Sequence, residues 1–204
     1  LESLSLRLTP SPAGNVTIRG IGTRSSSTPS TVRIGGVNFG SNVDILAGAG
    51  SLTVAGLGDD SGGTPGALGA VGVGIGDLQI TGDGVSTGTI TIAGQSVGST
   101  APGILALNPQ AGLEIRDNGN ANAPVGANVV IGATADATAA RALDLGTGFR
   151  PRILPSGRVN LRPLGVDVEV AGIFESTGTA IHIGNTPPVG TNFVINSGLL
   201  SNAG

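Results

Sequence analysis

Thr87-Gly88-Thr89-Ile90-Thr91-Ile92-Ala93-Gly94 sets two isoleucines around a threonine and closes on a glycine. Period-two alternation puts Ile90 and Ile92 on one face of an extended chain and Thr91 on the other, the pattern of a half-buried strand. The same apolar–x–apolar phrase recurs along the chain. It reads Val16-Thr17-Ile18, Val32-Arg33-Ile34, Val43-Asp44-Ile45, Leu52-Thr53-Val54, Leu78-Gln79-Ile80, Leu105-Ala106-Leu107 and Leu113-Glu114-Ile115. It continues as Val129-Val130-Ile131, Leu143-Asp144-Leu145, Val159-Asn160-Leu161, Val168-Glu169-Val170, Ile181-His182-Ile183 and Phe193-Val194-Ile195. A Gly or Asn usually follows, and such a residue supplies the positive φ of a sharp corner.

Short strands roughly 8 to 16 residues apart suit a sandwich, a barrel or a solenoid. Three features favour the solenoid. The inward positions are almost all Val, Ile or Leu, whereas a sandwich fills the space between its sheets with some aromatics. The outward positions are short and polar. The pattern runs on to both ends with no distinctive cap. The expected fold class is therefore all-β, a parallel solenoid with protruding Gly- and Pro-rich loops, and a β-sandwich is the alternative. Coils of about 20 to 25 residues would give about eight to ten turns and a rod on the order of 40 to 50 Å long.

Helix is disfavoured by glycine spread throughout the chain. The one candidate is Ala133 to Leu145, where Asp136 could cap an Ala-rich turn or two; the other reading is a loop entering the strand at Leu143. Leu57 to Asp77 reads as a projecting loop, and the Pro/Arg-rich Phe149 to Leu164 as another protruding segment or an irregular coil. Leu1 to Leu8 alternates and reads as a further strand. Nothing divides residues 1–204 into two domains, and the start at Leu1 reads as a piece of a longer protein.

Composition narrows the chemistry. Gly (37) and Pro (12) make up about a quarter of the 204 residues, close to the range of low-complexity disorder. Leu, Val, Ile and Phe make up more than a quarter, and the net charge is only −3, so a core is expected. There is no Cys, Met, Trp or Tyr, and all ten basic residues are Arg. That excludes disulfides, thiolate metal sites, a cysteine nucleophile, a Schiff-base lysine and a P-loop lysine. Weak acidity and 2% aromatics argue against nucleic acid as a partner. No apolar run is long enough to span a membrane.

Several motifs invite a chemical reading. Gly58-Asp59-Asp60-Ser61-Gly62-Gly63-Thr64-Pro65-Gly66 is similar to the phrase around the serine of chymotrypsin-like proteases. A nucleophilic serine needs a base within hydrogen-bond reach, and the sole histidine, His182, lies far downstream; the segment reads as a polar loop. His182, between Ile181 and Ile183, reads as an outward surface residue. Asp59, Asp60, Asp83 and Arg116-Asp117 are the acids to seek for polysaccharide cleavage, which needs two carboxylates on one bond. They form no cluster in sequence. Asp117-Asn118-Gly119-Asn120 offers oxygen ligands for calcium but stands alone. Gly72-Val73-Gly74-Ile75-Gly76 lacks the spacing of a phosphate loop. Asn15-Val16-Thr17 is a glycosylation triplet of the kind that arises by chance. Arg150, Arg152, Arg158 and Arg162 could meet an acidic glycan or an acidic partner face, and otherwise decorate a solvated loop. No catalytic residue, cofactor or metal is expected.

Gly172-Ile173-Phe174-Glu175-Ser176-Thr177-Gly178-Thr179-Ala180-Ile181-His182-Ile183, with Phe193-Val194-Ile195-Asn196-Ser197-Gly198-Leu199-Leu200-Ser201-Asn202-Ala203-Gly204, resembles coils of bacterial autotransporter and filamentous-haemagglutinin-like surface passengers. Gly50 to Gly56 and Thr87 to Gly94 are similar units. The resemblance covers about half of the chain. It implies a right-handed parallel β-helix in a secreted or surface-displayed fibre, structural or adhesive and without catalytic residues. Expected partners are adjacent coils or copies of the same protein, with cell-surface glycans or proteins as further candidates. The other functional classes considered are a self-assembling filament or surface-layer subunit and a polysaccharide-processing enzyme.

Overall fold

The computed structural model describes residues 5–7, 14–24, 33–47, 50–62, 68–82, 87–108, 112–117, 129–136, 139, 141–145, 150–153, 159–164, 167–170, 173–176, 181–183, 193–195 and 199–202, with side chains described only within residues 14–145. The described residues are all β. In chain order the strands are β1 (Ser5–Arg7), β2 (Val16–Thr23), β3 (Ile34–Phe39), β4 (Val43–Leu46), β5 (Gly50–Asp59), β6 (Ala70–Ile75), β7 (Leu78–Gly82), β8 (Thr87–Val97), β9 (Ile104–Ala106) and β10 (Gly112–Asp117). There follow β11 (Val129–Thr134), β12 (Arg141–Asp144), β13 (Arg150–Ile153), β14 (Val159–Leu164), β15 (Asp167–Val170), β16 (Ile173–Ser176), β17 (Ile181–Ile183), β18 (Phe193–Ile195) and β19 (Leu199–Asn202).

Every strand pairs in parallel with the strand three places along the chain. The first sheet runs β1-β4-β7-β10-β13-β16-β19, the second β2-β5-β8-β11-β14-β17 and the third β3-β6-β9-β12-β15-β18. Parallel register sets the phrases on top of one another. Val16, Leu52, Ile90 and Val129 form one row, and Ile18, Val54, Ile92 and Ile131 the next inward row. Thr17, Thr53, Thr91 and Val130 form the outward row between them. Buried residues from all three sheets, among them Ile45, Ile80, Ile92 and Ile104, join in one cluster. Burying each such side chain contributes roughly 1.5–3 kcal/mol. Phe39 is the fully buried aromatic of the described core.

The repeat is longer than expected through most of the chain. Val16 stands opposite Leu52, and Leu52 opposite Ile90, so each of these turns uses far more chain than the expected coil. Only the later turns come near the expected length, where Val159 faces Ile181 and Val168 faces Phe193. The seven-strand sheet spans six steps, about 29 Å at about 4.8 Å each, so the stack is shorter than the expected rod.

Leu57 to Asp77 accounts for part of the difference. It is not simply a projecting loop, because β5 continues to Asp59 and β6 occupies Ala70–Ile75; residues 63–67 lie outside the described residues. The first half of β5 buries Leu52 and Val54 in the core. Its second half presents Gly56 and Gly58 to β6, so closely that a Cβ on Gly56 would collide with the carbonyl oxygen of Gly72. Gly20 meets Gly36, and Gly94 meets Gly103, in the same way one turn before and one turn after. Gly20, Gly56 and Gly94, each two residues after a phrase, therefore form a seam between two backbones and are not corners. Positive φ occurs elsewhere, at Asn42, Gly50, Gly69 and Gly98.

Other expectations need correction. Of the two readings of Ala133 to Leu145 the second holds: the stretch carries the end of β11 and then the strand at Leu143, β12, and Ala133, Ala135, Ala139 and Ala142 are buried as small core residues. The carboxylate of Asp136 accepts from the Gly98 amide of the preceding turn, and is not a helix cap. Phe149 to Leu164 contains β13 and β14, with Pro151 opposite Leu113 and Pro163 opposite Ala133. A proline in a ladder forfeits one donor and leaves its carbonyl and its neighbours able to pair. Ile104, not Leu105, is the fully buried residue of β9, and the strand expected at Val32 begins at Ile34. The alternating Leu1 to Leu8 contains β1.

Replacing Gly56 with Ala places a methyl where Gly72 already sits, and overpacking of this kind costs about 1–3 kcal/mol. Gly56→Ala is expected to lower the thermal unfolding midpoint by several degrees. Ala55→Gly, on the opposite face of the same strand, is expected to lower it less.

Candidate functional site

The Asp59-Asp60-Ser61 segment ends β5, and strand alternation sends its two carboxylates in opposite directions. Asp59 points outward, and its Oδ1 accepts from the Ser61 amide at 2.8 Å and the Ser61 hydroxyl at 2.5 Å. These bonds hold the Asp59 carboxyl below its usual range, the hydroxyl bond contributing most. Asp60 points inward and pairs with Arg24, whose Nε lies 2.7 Å from Oδ1, both side chains being almost wholly buried. Asp60 Oδ2 is buried and makes no hydrogen bond among the described residues. Backbone bonds frame the pair: the Arg24 amide donates to the Asp59 carbonyl, and the Asp60 amide to the Val97 carbonyl. The adjacent acids thus do not converge on one bond.

Ser61 and His182 are not brought together. His182 is on β17, opposite Asn160, four strand steps from β5 in the second sheet, about 19 Å of backbone separation. The arginine group divides between sheets: Arg150 and Arg152 are on β13 in the first sheet, and Arg162 is on β14 in the second. Arg158, Asp83 and Asn118-Gly119-Asn120 lie outside the described residues. Asp117 ends β10, where Arg116 pairs with Glu114 at 3.1 Å and Gln79 donates to Glu114 at 3.3 Å. Asn15 accepts from the Ser51 amide. Gly72 to Gly76 is buried and mostly within β6. Among the described residues no three acids or histidines gather as metal ligands, and no helix is long and apolar enough to cross a membrane.

A concave groove that the sequence did not reveal opens on the outward face of the second sheet, with a volume of about 530 Å³. It lies where β2, β5, β8 and β11 pass from the core to the glycine seam. One lining row is Arg19, Ala55, Ala93 and Gly132; the next outward row is Ile21, Leu57, Gln95 and Thr134. Parallel register alone aligns these residues, so alternation in any single strand does not show them. No protein-family model, curated protein or solved structure matches the chain.

Two measurements probe these polar groups. Arg24→Ala leaves a buried carboxylate without its cation, and such a loss costs about 3–5 kcal/mol. The midpoint should fall sharply, and Arg24→Leu combined with Asp60→Leu should recover most of it. For Asp59, the depressed carboxyl pKa means that its share of stability is present above the unfolded-state value and is lost as pH falls through the folded value. In an NMR titration Asp59 should titrate below an ordinary Asp, and Ser61→Ala should move it back up.

Proposed function

We propose that the three sheets are the walls of a right-handed parallel β-helix, and that the chain is a non-enzymatic structural or adhesive segment of a secreted or surface-displayed bacterial fibre. The observation that carries this reading is the pairing of every strand with the one three places along, repeated in all three sheets. Such a period generates a stack that buries its aliphatic rows only against its own next turn, an arrangement suited to length. The likeness of Gly172 to Gly204 to surface-passenger coils supports the same reading. The polysaccharide-processing alternative has less support, because Asp59 and Asp60 point apart and Glu114 is engaged by Gln79 and Arg116.

A filament of stacked copies draws on the same observation: each sheet grows by adding a like strand in parallel, so an equivalent strand of another copy can extend it as an open sheet edge is extended. The isolated chain is expected to associate with rising concentration in sedimentation velocity and to form elongated particles in electron micrographs. Ile195→Asp, which puts a charge into the row continuing Val170, should abolish that association. A chain that stays monomeric at high concentration would overturn the stacking role, and turnover of an acidic polysaccharide would overturn the non-enzymatic one.

A further inference from the structure

The groove on the second sheet has a composition that no part of the fold requires to be open to solvent. Its floor is Ala55, Ala93 and Gly132, and its apolar wall begins with Ile21, which is 71% exposed, and Leu57. It crosses four strands, three steps of about 4.8 Å each, so it accepts an elongated body about 14 Å long running along the stack. A volume of about 530 Å³ lies within the range of small-molecule sites.

The charge at one end selects the ligand. Arg24 is paired with Asp60, Arg116 with Glu114, and Arg33 feels the charge of Asp144. Arg19, at the β2 end of the groove, is exposed and forms no ion pair among the described residues. An apolar trough with a cation at its end is complementary to a molecule with an apolar chain and one anionic head. A sugar chain fits less well, because it needs polar partners along its whole length and an aromatic platform. This floor is alanine and glycine, with Gln95 and Thr134 only at the wall. A bilayer surface also fits less well, since the site is concave and has one described cation.

The geometry points to a binding site for a single-chain anionic amphiphile, a fatty carboxylate whose head pairs with Arg19 and whose chain lies over Ala55, Ala93 and Gly132. The site is independent of the fibre reading, because it needs only β2, β5, β8 and β11 in their observed register.

The test is titration of the whole chain with sodium dodecanoate below its micelle concentration, followed by calorimetry and by NMR shifts. One saturable site is expected, with amide shifts centred on Ala55, Ala93 and Gly132 and much weaker binding of uncharged dodecyl maltoside. Arg19→Gln should weaken dodecanoate about tenfold, the loss of one charged hydrogen bond. Ala93→Leu should fill the trough and abolish binding with the circular dichroism unchanged. If that variant does not fold, Arg19→Gln and the wild-type shift map decide the matter. Unsaturable binding, shifts centred elsewhere, wild-type affinity in Arg19→Gln, or an acidic oligosaccharide that displaces dodecanoate from these residues would each overturn the proposal.

Discussion

In a parallel stack each side chain sits over the residue at the same position one turn earlier, about 4.8 Å away. Every position of the repeat is therefore a column, and a column is only as compatible as its members. Val16, Leu52, Ile90 and Val129 stack because all are aliphatic and of similar bulk. The core needs few aromatics because no ring has to bridge distant sheets. The same rule governs polar columns: Asp44, Gln79, Glu114 and Arg152 follow one another, so that Glu114 has an amide on one side and a cation's register position on the other.

The glycine seam is the column with the strictest demand. Gly20, Gly56 and Gly94 lie in one row, and each faces a glycine in the third sheet or, for Gly103, just before its strand β9, at a distance that leaves no room for a Cβ. The row continues with Ala133 and then Pro163. The repeat shortens only beyond the last of these glycines: Ile90 still faces Val129 at full length, and the steps from Val129 to Val159 and from Val159 to Ile181 are each shorter than the one before. Two backbones can lie flat against each other only while both sides lack side chains, so losing glycine removes the reason for the strands to run on past the core. The early turns are tied at the far end of the seam by polar contacts between successive turns: Arg24 with Asp60, Ser96 and Ser99 with Ala70, and Asp136 with Gly98. A buried pair such as Arg24 with Asp60 adds little net stability but resists slippage, because a shifted register would bury both charges unpaired.

The strand phrases were legible because the alternation of Ile90-Thr91-Ile92 is local. What the sequence hides is what depends on a partner. Gly56 and Gly72 look the same in a loop and in a seam, since glycine suits a positive φ and a close approach equally well. Ala133, Ala139 and Ala142 left helix open as one of two readings because alanine has high helix propensity, and propensity yields when tertiary packing asks for a small residue. Leu105 seemed equivalent to the other phrase-initial residues, but Ile104 one position earlier matches Val73 and Leu143 in register, and a one-residue slip exchanges the faces.

The same distinction explains why the groove was invisible. Ala55 and Ala93 are far apart in the chain, and each taken alone is an ordinary outward residue of a strand. Only the column makes them a floor. At the point where a strand leaves the aliphatic core for the seam, its inward face can carry no side chain. On the outward face, Arg19 is followed by two alanines and a glycine, although nothing on the solvent side forces them to be small. Long polar side chains there would have covered the apolar wall of Ile21 and Leu57 and screened it from water. The column instead keeps that wall accessible over four strands and sets a cation at its end.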